Sequence, residues 1–250
     1  MFNRDKYLKY KSKYMNLRSQ IHGGMKQHSL ELAVSNDYGD LQVVLRLHQF
    51  ITSLNLFNSG QKVLDYGCGF GWYTNLASTK QCDVIGIDPD ENSIKIAKNS
   101  YPKLNFRVGN KINPEEQNTF DFVFANMVIC NIKSHDIKEF FDICYNALKV
   151  GGTLFITNCD INTTFKKNDI VQHTYNQDKT GPIVSKPADG ELVYVSLLRD
   201  DMTYSDAWPN YSWSRDSLIK DIGKSNFDNI SLTDMTIDSY YYITATRTMS

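Results

Sequence analysis

The sequence has no long apolar run, and this lack excludes the usual membrane-spanning proteins. Its longest nearly apolar stretch, Phe122 to Cys130, is far too short to cross a bilayer. The first 18 residues are charged and contain no apolar core, so we expect neither a secretory signal nor a membrane partner. At 250 residues and 41% hydrophobic content, the chain fits one globular domain with additions.

Paired cysteines are also lacking. The five cysteines are an odd number, and no two of them form a C-x-x-C pair. They are Cys68, Cys82, Cys130, Cys144 and Cys159. This spacing argues against a disulfide framework and against a zinc knuckle, so no metal site is predicted. A reducing, cytoplasmic compartment is the expected setting.

The chain has little net charge, −1, but its charged residues are unevenly distributed between a basic arm and an acidic remainder. Residues 1–27 hold seven of the 27 lysines and arginines and only one of the 28 acids. The remaining chain is therefore mildly acidic, which does not favour nucleic acid as the main substrate. Apolar side chains at helical spacing predict a helix over residues 4–21, ended by Gly23-Gly24. We therefore divide the chain into a basic helical arm, 1–27, and a main domain, 28–250.

Beyond the arm, apolar runs alternate with helical patterns, which predicts an α/β fold with a parallel sheet covered on both faces. The predicted strands are 62–66, 84–88, 105–108, 120–125, 153–158, 229–236 and 240–248. The predicted helices are 40–57, 72–78, 91–99, 135–148 and 214–226, the last with Ser214 as its N-cap. Residues 160–213 lack a long helical period, and two strands or extended arms are predicted over 191–199 and 202–211. We interpret 160–213 as an insertion over the carboxyl edge of the sheet, where ligands of open α/β sheets bind.

The most informative motif is a strand that ends at an acid and turns through glycine into a helix. Residues 63–71 are VLDYGCGFG, with glycine at 67, 69 and 71. Glycine permits positive φ and lets a ligand approach bare backbone, and the following helix offers free N–H groups. Trp72 stands where a dinucleotide fingerprint requires glycine, so that class of cofactor is disfavoured. The acid at the strand end suits a cation better than a pyrophosphate.

The run Asp-x-Gly-x-Gly-x-Gly resembles motif I of the class I methyltransferases that depend on S-adenosylmethionine (SAM). The resemblance includes a Phe-Asp-x-Val segment at 120–123 and a Gly-Gly turn at 151–152. It covers residues 40–158 well and 214–248 more weakly. It implies SAM as the cofactor and a Rossmann-like sheet, mostly parallel, with an antiparallel last strand. Around residues 211–214 the chain is similar to small-molecule enzymes of the methyltransferase type 11, UbiE-like and toxoflavin-type branches.

The resemblance also implies a set of cofactor-binding positions. They are Asp65, Gly67, Cys68, Gly69, Asp88, Pro89, Asn110, Lys111 and Asn126. Asp88 is expected to accept both ribose hydroxyls, since its two oxygens match a vicinal diol, although it could instead cap the following helix. Asn110 matches a position that contacts the adenine amine, and Lys111 is unusual there and more suited to solvent. Asn126 ends the strand beside the methyl donor.

The acceptor side is less well specified by the sequence. Many small-molecule members have paired histidines after the fourth strand, where this chain has Cys130-Asn131, so no catalytic residue is predicted. The candidates for an acceptor pocket are Tyr38, Asp160, Tyr194, Trp208, Tyr211 and Trp213. For each aromatic residue, packing in the core is an equally good interpretation.

Three functions remain open at this point. The first is methyl transfer to a small-molecule acceptor by in-line displacement, and the second is methylation of RNA or protein with the basic arm as docking element. The third is a virion or scaffold protein that binds SAM without turnover. The sequence gives no indication of an oligomeric state.

The N-terminal segment KYLKYKSKYMNLRSQIHGG resembles the Lys/Tyr-rich segments that open many proteins of giant viruses related to mimivirus. If that resemblance holds, the host cytoplasm or the virion is the expected location. Gly23-Gly24 would then be a processing site or, as we prefer, the C-cap of a helix.

Overall fold

The computed structural model describes residues 41–160, 172–175, 187–197, 208–235 and 240–249. The basic arm, the virus-like segment and the candidate Tyr38 lie outside these residues, so they stay predictions. Among the described residues, no helix is long and apolar enough to cross a membrane. The same residues contain no cluster of His, Cys, Asp and Glu side chains that could hold a metal ion.

Helices and strands alternate through the described chain. The helices are α1 (Leu41–Ser53), α2 (Trp72–Thr79), α3 (Glu91–Ser100), α4 (Ile137–Ala147) and α5 (Arg215–Lys224). The strands are β1 (Lys62–Tyr66), β2 (Asp83–Asp88), β3 (Asn105–Val108), β4 (Phe120–Asn126), β5 (Leu148–Cys159), β6 (Gln172–Tyr175), β7 (Leu192–Leu197), β8 (Trp208–Tyr211), β9 (Phe227–Asp234) and β10 (Tyr240–Arg247). Two single-turn 3₁₀ helices, Pro114–Glu116 and Ile129–Asn131, precede and follow β4.

The main sheet has seven strands in the order β3-β2-β1-β4-β5-β10-β9. Strands β1 to β5 are parallel, whereas β10 is antiparallel to both β5 and β9. This confirms the predicted Rossmann-like sheet with an antiparallel strand near one edge. The strand order reverses between β1 and β4, and ligands of open α/β sheets bind in the crevice at such a switch point.

The ends of the elements differ from the prediction by a few residues, for local reasons. Helix α1 ends at Ser53 rather than at 57, because Asn55 adopts a left-handed φ of 48°. Leu54 and Phe57 still pack into the core from the loop, which explains why the apolar pattern continued past the helix. Ser214 caps α5 as predicted, since its hydroxyl accepts a hydrogen bond from the Ser217 amide.

The two faces of the sheet bury different kinds of side chain. Under α1 and α2 the core is a column of aromatic rings contributed by adjacent strands, in which Phe124 and Phe155 stack at 5.6 Å and 6°. Tyr242 continues the stack on Phe155 at 5.1 Å. The face under α4 and α5 is mainly aliphatic, with Leu64 and Leu154 fully buried. A sheet buried on both faces explains why β1 and β4 are nearly continuous apolar runs.

A second sheet, antiparallel and of three strands in the order β6-β7-β8, lies within the predicted insertion. Strands β7 and β8 fall inside the two predicted segments, whereas β6 was not predicted. The indole nitrogen of Trp213, just after β8, donates a hydrogen bond to the carbonyl of Ile132 at 3.3 Å. Gly190 approaches Ser134 so closely that a Cβ would collide with it. These contacts join the second sheet to the segment that follows β4, at the carboxyl edge of the main sheet.

Candidate functional site

The glycine motif forms the turn between β1 and α2, as its sequence requires. Gly67, Gly69 and Gly71 all have positive φ, at 71°, 51° and 83°. A Cβ on Gly67 would lie 2.5 Å from Cγ2 of Val128, so this glycine permits close packing against the segment after β4. A Cβ on Gly69 would meet nothing within 4 Å. The backbone at Gly69 is therefore open to a ligand.

Asp65 lies beneath this turn rather than on its surface. Only 3% of the residue is exposed, and its carboxyl group accepts hydrogen bonds from the hydroxyl of Thr74, at 2.6 Å, and from the Thr74 backbone amide. Asp65 thus ties the end of β1 to the first turn of α2. Burial raises the pKa of Asp65 to about 7, against the opposing effect of the Thr74 hydrogen bonds. The expected pairing with the cationic amino group of a cofactor stays a prediction.

Asp88 ends β2 beside the glycine turn and is half-buried. Its Oδ2 accepts a hydrogen bond from the Gly69 amide at 2.9 Å, and its Oδ1 accepts one from the Asp90 amide at 2.9 Å. Each carboxylate oxygen keeps a second lone pair, so the group can still accept two hydroxyls. The alternative role, capping of α3, belongs to Asp90, whose side chain accepts from the amides of Asn92 and Ser93. Burial raises the pKa of Asp88 above its ordinary value.

The turn after β3 is tied to the same edge of the sheet. The phenol of Tyr66 donates to the backbone carbonyl of Asn110 at 2.8 Å, and the Gly109 amide donates to the Asp88 carbonyl at 2.9 Å. Pro89 and Asn110 are exposed beside Asp88. The carboxyl ends of β1, β2 and β3 therefore lie side by side along one edge of the sheet, and we call these three strand ends the ledge. The residues predicted to contact the ribose and the adenine, Asp88 and Asn110, are neighbours on it.

Two of the predicted cofactor residues have side chains that point elsewhere. Lys111 is 70% exposed at its side chain and pairs with Glu139 on α4 at 3.0 Å, so its contact with the cofactor stays a prediction. Cys68 is buried, and its sulfur packs closely against Gly86. A Cβ added to Gly86 would lie only 2.9 Å from this sulfur. Burial also raises the pKa of the Cys68 thiol, so the sulfur carries no charge at neutral pH.

The end of β4 is held by a hydrogen-bond network centred on Thr157 of β5. The Thr157 hydroxyl accepts from the Met127 amide at 3.0 Å and donates to Oδ1 of Asn126 at 2.7 Å. Met127 has a left-handed φ of 55°, which is uncommon for a residue with a side chain. Its carbonyl accepts hydrogen bonds from the Cys130 thiol and from the Asn131 carboxamide, both at 3.2 Å. A strained turn fixed on several sides is typical of functional positions.

Cys130 and Asn131 do not offer a general base. Burial raises the pKa of the Cys130 thiol well above its usual range, so the sulfur stays protonated at neutral pH. The Asn131 carboxamide does not titrate, and its nitrogen is occupied by the Met127 carbonyl. His135 lies at the surface, 3.4 Å from Asp136. The catalytic residue, which the sequence leaves unassigned, is therefore not identified at these three positions.

The predicted acceptor candidates have mixed outcomes. Asp160 pairs with Nε of Arg215 at 3.2 Å, and the same guanidinium binds Asp234 at 2.5 Å and lies 4.8 Å from the ring centre of Tyr241. The charge of Asp160 is therefore used within the fold, which argues against a role in the pocket. Tyr211 packs partly against the main core. Tyr194 lies half-buried in β7, and Trp208 begins β8.

Trp213 was a pocket candidate for which packing in the core was an equally good interpretation, and the structure places it in the core. It is only 4% exposed and belongs to the core cluster under α4 and α5, where its indole nitrogen bonds the carbonyl of Ile132. A large apolar ring that can satisfy its one polar atom on nearby backbone is favoured in a core.

We expect Trp213→Phe to lower the free energy of unfolding by about 1 to 3 kcal/mol, since one part-buried hydrogen bond to the Ile132 carbonyl and part of the ring are lost. Urea denaturation measures this change. Cofactor affinity, measured on the folded variant, should not change. A reduced affinity with unaltered stability would contradict the core assignment.

Two further residues of the site, Thr74 and Thr157, were not predicted. Both act through hydroxyl hydrogen bonds to a carboxyl or carboxamide on a neighbouring element. Thr157 directly precedes the predicted end of a buried strand, where a polar residue is a weak signal of function. Thr74 lies in the first turn of the helix that follows the glycine motif, where a hydroxyl can reach the acid at the end of the preceding strand. Its position in the sequence could therefore have indicated the hydrogen bond to Asp65.

Gly67→Ala should damage both the stability and the ligand affinity of the protein. The alanine must hold a left-handed φ and displace Val128, which together cost about 2 to 4 kcal/mol. Gly60→Ala is the matched control, because Gly60 also has a positive φ of 83° but has no neighbour within 4 Å of the Cβ position. In thermal denaturation the Gly67 variant should be the less stable, and adding Val128→Ala should restore part of the difference. Equal melting temperatures would show that the close contact is unimportant.

Comparison with known proteins agrees with this geometry. Residues 64–156 match the family described as "Methyltransferase domain". The mitochondrial ubiquinone biosynthesis O-methyltransferase of Mus musculus is 40% identical over 108 residues, which are 40% of this chain and 29% of that protein. The PH0226 protein of Pyrococcus horikoshii OT3 superposes with a TM-score of 0.62 at 16% identity, covering 80% of this chain and 88% of that one. A Haemonchus contortus phosphoethanolamine N-methyltransferase 2, solved in complex with SAM, gives a TM-score of 0.53 at 16% identity, covering 83% and 52%.

The matched residues, 64–156, run from β1 to β5 and include the glycine turn and Asp88. The main sheet and its helices have the Rossmann-like methyltransferase fold of these solved structures. The matched part spans less than a third of the mouse relative's length.

Proposed function

We propose that this protein is a SAM-dependent methyltransferase that acts on a small-molecule acceptor. The observation that carries the proposal is the cradle made by Gly69 and Asp88. The Gly69 amide fixes the Asp88 carboxylate, the space above Gly69 is open, and the carboxylate oxygens retain lone pairs for two hydroxyls. A nucleoside ribose matches this arrangement.

The strand order supports one direction for the bound cofactor along the ledge. In this arrangement, Asn110 after β3 holds the adenine amine, Asp88 after β2 holds the ribose, and the Gly67–Gly69 backbone after β1 holds the amino-acid arm. Bound SAM supplies an electrophilic methyl group on a sulfonium. The position next along the edge, at the end of β4, then faces the acceptor.

The described residues at this edge contribute alignment and exclusion of water, and neither Cys130 nor Asn131 among them offers a base. In-line displacement at an activated methyl carbon depends chiefly on holding the nucleophile near and collinear. The second sheet, attached after β4 through Trp213 and Gly190, lies where it can shield this edge from water. Because burial keeps the Cys130 thiol protonated at neutral pH, this residue does not take a proton from the acceptor.

A small acceptor is supported by the mild acidity of the main domain and by the relatives. The mouse relative is named for ubiquinone biosynthesis, and the Haemonchus contortus enzyme for phosphoethanolamine. The five cysteines are all free, which fits a reducing compartment such as the cytoplasm.

Isothermal titration of the purified protein with S-adenosylhomocysteine, the demethylated product, tests the proposal. We expect saturable binding of one molecule per chain. NADH serves as the control ligand and should not bind, because Trp72 replaces the glycine of a dinucleotide fingerprint. Absence of S-adenosylhomocysteine binding at millimolar concentration would contradict the proposed function.

The basic arm favours a second candidate function, methylation of RNA or protein with residues 1–27 as the docking element. Salt-sensitive RNA binding that disappears when residues 1–27 are deleted would support it. A deletion variant that keeps full turnover of small acceptors would favour the first function.

A further inference from the structure

We infer that the carboxamide nitrogen of Asn126 binds the nucleophile, and that this nucleophile is an oxygen bound as an anion rather than an amine. The inference rests on the proposed function and specifies its acceptor class. It also replaces the earlier assignment of Asn126 to the cofactor with a role on the acceptor side.

The register of the sheet places Asn126 beside the donor end of the ledge. Asp65 of β1 is paired with Phe124 of β4. Two residues further along each parallel strand, Gly67 is level with Asn126. Val128 packs against Gly67, so the segment after β4 borders the glycine turn. Asn126 is therefore the first polar side chain past the turn, on the side away from Asp88.

Thr157 determines which way the Asn126 carboxamide faces. The Thr157 hydroxyl donates its single hydrogen to Oδ1 of Asn126 at 2.7 Å, and its oxygen accepts from the Met127 amide at 3.0 Å. Only the carboxamide oxygen can accept that hydrogen, which leaves the NH₂ group at the other end. Asn126 is half-buried, and none of the described residues accepts a hydrogen bond from this nitrogen.

A fixed pair of N–H donors selects among nucleophiles. An oxyanion presents lone pairs and is stabilised by such donors, as in other sites that hold negative oxygen. An amine that attacks with its lone pair has only N–H groups left, and these need an acceptor instead. Because no general base is evident at Cys130 or Asn131, an acceptor that ionises in solution fits the same site.

The reaction balances without a further reagent. The acceptor releases its proton to water and binds as an oxyanion, with the Asn126 NH₂ group donating to the oxygen. An oxygen lone pair then forms the bond to the methyl carbon as the S–CH₃ bond breaks, and its electrons remain on sulfur. The products are a methyl ether or methyl ester and neutral S-adenosylhomocysteine.

Acceptors that carry both kinds of nucleophile test the inference directly. The protein is incubated with SAM and with 2-aminophenol, 4-aminophenol or 2-aminobenzoate. The O-methyl and N-methyl products, which are isomers of equal mass, are separated by liquid chromatography and identified against standards of each. We expect methyl transfer to oxygen in at least one probe and to nitrogen in none. Transfer to nitrogen, or no product from any probe when S-adenosylhomocysteine binds, would overturn the inference.

Substitution at position 126 provides a second, independent measurement. Asn126→Asp replaces the donor by an acceptor of the same shape, so O-methylation should fall about a hundredfold and the ratio of products should move toward nitrogen. Asn146→Asp is the matched control, because Asn146 is exposed at the end of α4, at the opposite edge of the sheet. An unchanged ratio of products in the Asn126 variant would overturn the inference.

Thr157 is a positioning residue in this scheme. Thr157→Val should lower kcat about tenfold with little change in the affinity for S-adenosylhomocysteine, and Thr157→Ser, which keeps the hydroxyl, should restore kcat. Failure of the serine variant to restore kcat would contradict the orienting role. If S-adenosylhomocysteine does not bind the unaltered protein, the proposed function itself fails, which is a separate outcome.

Discussion

Replacing Asp88 with alanine should weaken the binding of S-adenosylhomocysteine at least about tenfold, and by a hundredfold or more if both ribose hydroxyls bind the carboxylate. Each hydrogen bond to an ionised group contributes about 1.5 to 3 kcal/mol. The variant also leaves the Gly69 amide without its acceptor, which loosens the turn that the cofactor must contact. Isothermal titration gives the change in dissociation constant.

Asp90→Ala is the matched control for this measurement. Asp90 lies two residues further on and caps α3, so its loss should cost about 1 kcal/mol of stability without weakening the ligand. If both variants bind as tightly as the unaltered protein, Asp88 does not hold the ribose. Equal weakening in both would indicate general damage to the start of α3.

Much of this site could be predicted because its parts lie at strand ends marked by strong local patterns. β1 and β2 are short apolar runs that each stop at an acid, and the glycines between β1 and α2 admit few alternative turns. Parallel pairing then places both ends on one edge without further information. The sequence therefore predicted Asp88 and the glycine turn correctly as neighbours.

The remainder depends on contacts between residues far apart in sequence, which local patterns do not encode. The local sequence around Asp160 does not distinguish an acid that lines a pocket from one that is paired within the fold, because its partner Arg215 is 55 residues away. Trp213 could equally line a pocket or fill the core until the carbonyl of Ile132 is found beside it. The orientation of Asn126 follows from one hydroxyl of β5, 31 residues further on. Tertiary contacts of this kind decide whether a polar residue serves the fold or the ligand.

Asp65 should make the stability of the protein depend on pH, and Asp65→Asn should remove that dependence. The folded-state pKa of about 7 lies above the ordinary value of 3.8, so between these two pH values the folded chain holds a proton that the unfolded chain has released. The resulting stabilisation is complete below about pH 4 and is lost as the pH rises through 7, by at most about 4 kcal/mol. Urea denaturation from pH 4 to 8 measures it, and the difference between the two proteins isolates Asp65 from other groups. Parallel curves would show that Asp65 is ionised throughout.

The same variant tests whether a cation approaches Asp65 in the complex, as the sequence predicts. A bound ammonium group stabilises the ionised carboxylate, so ligand binding near pH 7 should release a proton from Asp65. Titration with S-adenosylhomocysteine in two buffers of different ionisation enthalpy measures this release. We expect it in the unaltered protein and not in Asp65→Asn. Equal proton release in both would place the amino group elsewhere and leave Asp65 with the role that its bonds to Thr74 already show, which is to join β1 to α2 beneath the glycine turn.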